Sequence, residues 1–296
     1  VRLPTQRQHD GRAFFIGYQL RPFFPKVQFY EEMALVSIHS LRIERDWQGP
    51  LIVFPIWSRA NRRVMTICEM MADDERLNIQ LGPPIRAVVS EKAMELGGGR
   101  TGMVTKTLIP FVTPFERTLL IDADTVVVKP IDDIFRGSAP LKLTAFEPLW
   151  SDSAALRKRI STWNDIAPIQ VDRIRRRWDP AINTGVMVFD RPATQLVAWN
   201  ELTMRGDYNE IPDEIAMQLL LPDLNYELLP DIWNFSPVYG NKSHRADAHI
   251  WHLHGTNSGK REDLPEWNEF YVPRLTAVKN GNFGHINKWP SQPASA

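Results

Sequence analysis

Two aspartates one residue apart, at the end of an apolar run, are the feature of this chain with the most pointed chemistry. Leu119, Leu120 and Ile121 lead into Asp122-Ala123-Asp124-Thr125. A buried strand that stops at two carboxylates delivers them to the carboxyl end of a sheet, where ligands gather in open α/β folds. In an extended backbone residues i and i+2 point the same way, so Asp122 and Asp124 are expected to converge on one ion. Mg2+ and Mn2+ take oxygen ligands and complete their shell with substrate phosphates, and a cation there could neutralise a departing diphosphate. The plainer alternative is a strand end with two solvated aspartates. Asp132-Asp133, shortly afterwards, reads as a helix start rather than a second metal site.

Four of the seven histidines lie between His244 and His254. His252 and His254 alternate with Trp251 and Leu253, so on a strand both rings face one side. Imidazole is a borderline ligand that suits Mn2+ and can also bond a phosphate. Chemistry alone does not say which of the two binds metal. Asn183-Thr184-Gly185 precedes the apolar Val186–Phe189, and such a strand entrance can bring backbone close to a polyhydroxylated ligand. Asp213-Glu214 opens an apolar helix, where carboxylates are favoured by the dipole whatever their function, so capping and catalysis both stand. The basic stretch from Arg157 to Arg177 reads as a solvated helical face or as a grip on an anionic acceptor.

The elements that must position these groups alternate in type. Strands are expected at Ala13–Tyr18, Leu51–Trp57, Arg86–Ser90, within Thr118–Val128, and at Leu143–Phe146, Thr184–Asp190 and Ile250–His254. Helices are expected from Phe29 to about Arg42 with Ala34, Leu35, Ile38 and Leu41 on one face, and after Ser58 with Val64, Cys68 and Met71 recurring. Others follow Gly97-Gly98-Gly99 (carrying Lys106), run over Ser153–Asp179, and span Pro212–Leu221. This rhythm predicts an α/β fold with a mostly parallel central sheet flanked by helices. Lys plus Arg and Asp plus Glu are 35 each over 296 residues, which argues against a large nucleic-acid footprint. The single cysteine, Cys68, leaves no internal disulfide and fits a reducing compartment. No apolar run reaches the ~18–20 residues of a membrane span, and Val1–Gly11 lacks a signal-peptide core. A cytoplasmic protein, at most peripheral to an inner membrane, is the expectation. Ten tryptophans and twenty-three prolines suggest ordered loops, with most tryptophans in the core.

Taken in order, these pieces resemble the GT-A glycosyltransferases, especially family 8 and its retaining hexosyltransferase relatives. The resemblance is carried by Pro114–Asp124, Asn183–Phe189, Asp213-Glu214, Leu229-Pro230 with Trp233-Asn234, and His252-Leu253-His254-Gly255 with Lys260. It implies a Rossmann-like GT-A domain over 1–296. Its nucleotide-binding half is 1–135, its acceptor and metal half is 136–265, and a C-terminal helix with a loose tail occupies 266–296. By resemblance, Asp122, Asp124 and His252 are metal ligands for Mn2+ or Mg2+. Gly17, Tyr18, Gln19, Lys106, Asp122, Ala123, Asn183, Gly185, His254, Gly255 and Lys260 line the donor, and Asp213 and Glu214 lie beside the donor sugar. The implied reaction moves a hexose from a UDP- or GDP-sugar to a carbohydrate or glycolipid hydroxyl with retention of configuration. The chain departs from family 8 at Glu214, where an amide is common, and in the residues from Thr256 to Arg261. Self-association into a homo-oligomer is left open.

Two rival readings use the same residues. Asp122-Ala123-Asp124-Thr125-Val126 after an apolar strand also resembles the nucleophile motif of haloacid dehalogenase-type phosphohydrolases, with Asp122 attacking phosphorus. That family places the motif on its first strand, whereas here at least two β-α units precede it. The other rival is a non-catalytic nucleotide-sugar-binding module.

Overall fold

The computed structural model describes residues 10–16, 29–42, 47, 49–57, 69, 72–75, 77–86, 89–95, 101–146, 160–168, 181–209, 211–254 and 263–277. Among them, strands β1 (Asp10–Ile16), β2 (Leu51–Trp57), β3 (Ile79–Leu81), β4 (Ile85–Arg86) and β5 (Arg117–Ile121) build the first half of a sheet. Strands β6 (Thr125–Val127), β7 (Leu141–Phe146), β8 (Ala181–Asp190), β9 (Glu227–Leu229) and β10 (Ile250–His252) follow. The helices are α1 (Phe29–Arg42), α2 (Glu91–Glu95), α3 (Thr101–Lys106), α4 (Ile109–Val112), α5 (Val197–Arg205), α6 (Pro212–Leu220) and α7 (Val272–Ala277).

The main sheet runs β3-β2-β1-β5-β8-β7-β9, with β4 also paired to β2. It is parallel from β3 through β5, and β8 then pairs antiparallel to both β5 and β7. A small antiparallel sheet joins β6 to β10. The central strands β5 and β8 are buried along nearly their whole length because both faces are covered, as strands between helical layers must be. Alternation then sorts them. Leu119, Ile121, Val186, Val188, Leu51 and Val53 pack with Ala34, Leu35, Ile38 and Leu41 of α1. Leu120, Met187, Phe189, Ile52 and Phe54 pack on the other side with Trp199 and Leu202 of α5 and with Ile215 and Ala216 of α6. A third cluster gathers Met33 and Val36 with Phe235, Trp251, Trp267 and Tyr271.

Several expectations are revised. Helix α1 does not bury a single stripe: every residue from Met33 to Arg42 is buried. It lies between the sheet and the third cluster, and its polar residues bond inward. The Arg42 guanidinium donates to the carbonyls of Leu77, Trp47, Gly49 and Asn78 at 2.6–2.9 Å, and burial lowers its pKa to about 10. Of the strand expected at Arg86–Ser90, Arg86 closes the short β4, while Val89 and Ser90 lie outside any strand. Ser90 instead accepts from the Ala93 amide at 3.2 Å, at the start of α2. The strand expected at Thr184–Asp190 begins earlier and includes Asn183, which pairs with Thr144 of β7 beyond a register shift between Leu143 and Thr144. The helix after Ser58, the Gly97–Gly99 break, the Asn280–Ala296 tail and most of the basic stretch lie outside the described residues. Trp163 and Trp199 are fully buried, and Trp233, Trp251 and Trp267 nearly so. No helix of the described residues is long and apolar enough to cross a membrane.

Leu120 is fully buried where β5 meets β1 and β8. Leu120→Ala is expected to cost about 2–5 kcal/mol, read as a lower denaturant midpoint in equilibrium unfolding.

Candidate metal and donor site

Strand β5 ends at Ile121, and the chain turns through Asp122-Ala123-Asp124 before β6 begins. The two carboxylates are therefore brought together by a turn and not by the side-to-side alternation of an extended strand. Backbone bonds pin the turn from both flanks: the Asp122 amide donates to the Gly185 carbonyl of β8 at 2.7 Å, and the Leu253 amide donates to the Asp124 carbonyl at 2.8 Å. From below, Thr125 Oγ1 donates to the Asp122 carbonyl at 2.9 Å and lies 2.9 Å from Ser37 Oγ of α1. Ser40 Oγ accepts from the Val127 amide at 2.9 Å.

Pairing of β10 with β6 sets His252 opposite Thr125. Its Nε2 then lies 3.2 Å from Asp124 Oδ1, and one donor atom from each of Asp122, Asp124 and His252 falls within 4.8 Å of the others. Two hard carboxylate oxygens and a borderline imidazole nitrogen suit Mn2+ or Mg2+, so the residues present fit a divalent cation. His254 stands apart from this group. Its ring is 4.9 Å from that of His252, and its Nε2 is 2.8 Å from Ser236 Oγ.

A buried lysine stands behind the carboxylates. Lys106, the last residue of α3, places Nζ 2.6 Å from Asp213 Oδ2 and 3.2 Å from Asp122 Oδ2. Burial works against its charge, but Asp122 and Asp213 outweigh burial and raise its pKa above the ordinary lysine value. For Asp122, burial raises the carboxyl pKa, with Asp124 and Asp213 adding to the rise while Lys106 and His252 oppose it. Three formal carboxylates against one ammonium leave two negative charges, the complement of a divalent cation. Asp213, in the first turn of α6, has other partners as well: its Oδ2 accepts from Thr184 Oγ1 at 2.7 Å, and its carbonyl accepts from Trp199 Nε1 at 2.7 Å. Ile211, just before α6, takes the left-handed conformation (φ 41°, ψ 58°), a strained state for a β-branched residue. Glu214 is only partly buried.

No family model and no curated protein matches the chain. Solved structures do match. A crystal structure of the galactosyltransferase LgtC with donor and acceptor sugar analogs superposes with a TM-score of 0.55 at 11% identity, covering 95% of this chain and all of that one. The glycosyltransferase GlyE of Streptococcus pneumoniae TIGR4 gives 0.52 at 14% identity, over 97% of this chain and 66% of its own. The fold is GT-A.

Among the sequence-predicted residues, Ala123 is buried in the turn between its two aspartates, while His254 and Glu214 lie outside the cluster that the others form or adjoin. Asp122, Asp124, His252, Lys106 and Asp213 form one connected cluster. Asn183 and Gly185 adjoin it from beneath, and their visible work is support. A Cβ on Gly185 would lie 2.3 Å from His252 Cε1, so the glycine makes room for the ring. Asn183 Oδ1 accepts from the Gly185 amide at 2.8 Å. Gly17, Tyr18, Gln19, Gly255 and Lys260 lie outside the described residues. Sequence reading gave no role to Asn234, which donates to Asn183 Oδ1 and touches His252. The available signal was its place in the quoted Trp233-Asn234 pair.

Two measurements test this geometry. Gly185→Ala should leave the chain folded but weaken Mn2+ binding about tenfold or more, by displacing His252, as read by calorimetric titration. Lys106→Met should cost about 3–5 kcal/mol in chemical unfolding, because it leaves Asp213 buried without its cation.

Proposed function

We propose that this chain is a metal-dependent glycosyltransferase that moves a hexose from a UDP- or GDP-sugar to a carbohydrate hydroxyl. The observation that carries the reading is the convergence of Asp122, Asp124 and His252 donor atoms within 4.8 Å, at the carboxyl end of a GT-A sheet. The likeness to LgtC and GlyE supports the fold, and the chemistry of the cluster supports the activity.

In this reading Asp122, Asp124 and His252 hold the cation, which when bound stabilises the negative charge of the leaving diphosphate. Lys106 pairs with Asp122 and Asp213 and holds them in place before substrate arrives, so little reorganisation accompanies the reaction. Asp213 and Glu214, in the first turn of α6, sit beside the donor sugar. There a carboxylate favours the positive charge that grows at the anomeric carbon, consistent with retention of configuration. The surrounding loops hold the acceptor hydroxyl in line, a positioning effect. We read the first half, 1–135, as the nucleotide-binding part and 136–265 as the acceptor and metal part. A nucleophilic role for Asp122 in phosphate ester hydrolysis fits less well. That carboxylate is committed to Lys106, and a third ligand from β10 has no place in such a mechanism.

Calorimetric titration of UDP and GDP, with and without Mn2+, tests the proposal. One nucleotide should bind in a metal-dependent manner, and Asp124→Ala should lower its affinity and donor-sugar turnover at least about 100-fold. Binding without turnover or donor hydrolysis would mark a binding module, and phosphatase activity without nucleotide binding would reject the reading.

A further inference from the structure

His252 can serve the cluster only through Nε2, and a neutral imidazole offers one bare nitrogen. Which nitrogen that is depends on what the other one meets. His252 Nδ1 lies 2.9 Å from Asn234 Oδ1, with both residues buried. Which way the Asn234 amide faces is in turn decided by two neighbours. Thr144 Oγ1 donates toward the carbonyls of Asn183 and Val186, each at 3.2 Å, so its single proton is committed there. Its lone pairs face Asn234 Nδ2 at 2.9 Å. Asn183 Oδ1 already accepts the Gly185 amide at 2.8 Å, which fixes it as an oxygen, and Asn234 Nδ2 lies 2.7 Å from it. Both groups on that side of Asn234 are acceptors, so only its amino group fits between them. A flipped amide would set its oxygen against two oxygens without water to relieve it.

We infer that Asn234 is a positioning residue for His252: held by Thr144 and Asn183, its Oδ1 keeps a proton on Nδ1, so that Nε2, 3.2 Å from Asp124 Oδ1, is the nitrogen left to take a cation. The inference rests on the metal-site reading above and goes beyond it, because it assigns the ligand's protonation pattern to residues that touch no metal. The opposite tautomer would place two lone pairs face to face 2.9 Å apart in a buried site. Gly185 completes the device by letting the ring approach β8 closely, where a Cβ would strike Cε1.

Two experiments decide it. In wild type carrying ring-15N histidine, with His252 assigned by the signal lost in His252→Gln, Nδ1 should carry a proton both without metal and with Mg2+ added. A bare Nδ1 in either state overturns the inference, whatever the variants do. Mn2+ titration then compares Asn234→Asp with Asn234→Ala. Aspartate still accepts from Nδ1 but cannot donate to Thr144 or Asn183. It should stay within about threefold of wild-type affinity, while alanine loses about 10–100-fold. A residue that merely tied β7 to β8 through its amino group would leave aspartate as weak as alanine, and that result overturns the inference. Alanine binding as tightly as wild type overturns it too. If wild type takes up no Mn2+, the metal-site reading fails on its own, and the nitrogen spectrum still decides the tautomer.

Discussion

The structure depends on gathering like charges at a strand end largely removed from water. Each buried ion costs several kcal/mol unless it is paired and hydrogen-bonded. Asp122 and Asp213 meet that requirement through one ammonium group, Lys106, whose side chain is only 6% exposed. The helix that ends at Lys106, the turn that carries Asp122 and the first turn of α6 are thereby tied to one point. The strained backbone at Ile211 sits where this arrangement demands an abrupt entry into α6.

The scaffold around that point is layered. Strand β5 supplies the turn; antiparallel β8 receives the Asp122 amide, and β10 delivers His252 against β6. Beneath them, α1 is buried along its last ten residues because it also serves as a floor, with Ser37 and Ser40 meeting Thr125 and Val127. The irregularity in β8 is part of the same construction. It lets Asn183, Thr184 and Gly185 each turn to a different neighbour: Asn234, Asp213 and His252. Support and ligand are continuous in this site, so a glycine or an amide that contacts no substrate can still govern what the site binds.

The likeness to LgtC and GlyE at 11% and 14% identity speaks for the fold. A shared fold hosts many functions, and the function must be argued from the site. A sheet whose carboxyl end gathers ligands ends here in oxygen and nitrogen donors that could hold a divalent cation, with a lysine behind them.

Local order determined what was legible in the sequence. The apolar run before Asp122, the alternation around His252 and the helix from Phe29 to Arg42 each follow from neighbours a few residues apart, so strand, helix and candidate ligands could be read directly. The sequence also located the acidic pair at Asp213-Glu214, but left capping and catalysis even. Tertiary structure shows what Asp213 meets, because its partners, Lys106 and Thr184, lie 107 and 29 positions away. The turn geometry of Asp122 and Asp124 and the inclusion of Asn183 within β8 were likewise decided by pairing with distant strands. Asn234 had no legible role, since its work exists only where β7, β8 and β10 close upon it. Residue types and short spacings reveal which groups can do chemistry; which of them meet, and in what protonation pattern, is fixed by contacts between segments far apart in the chain.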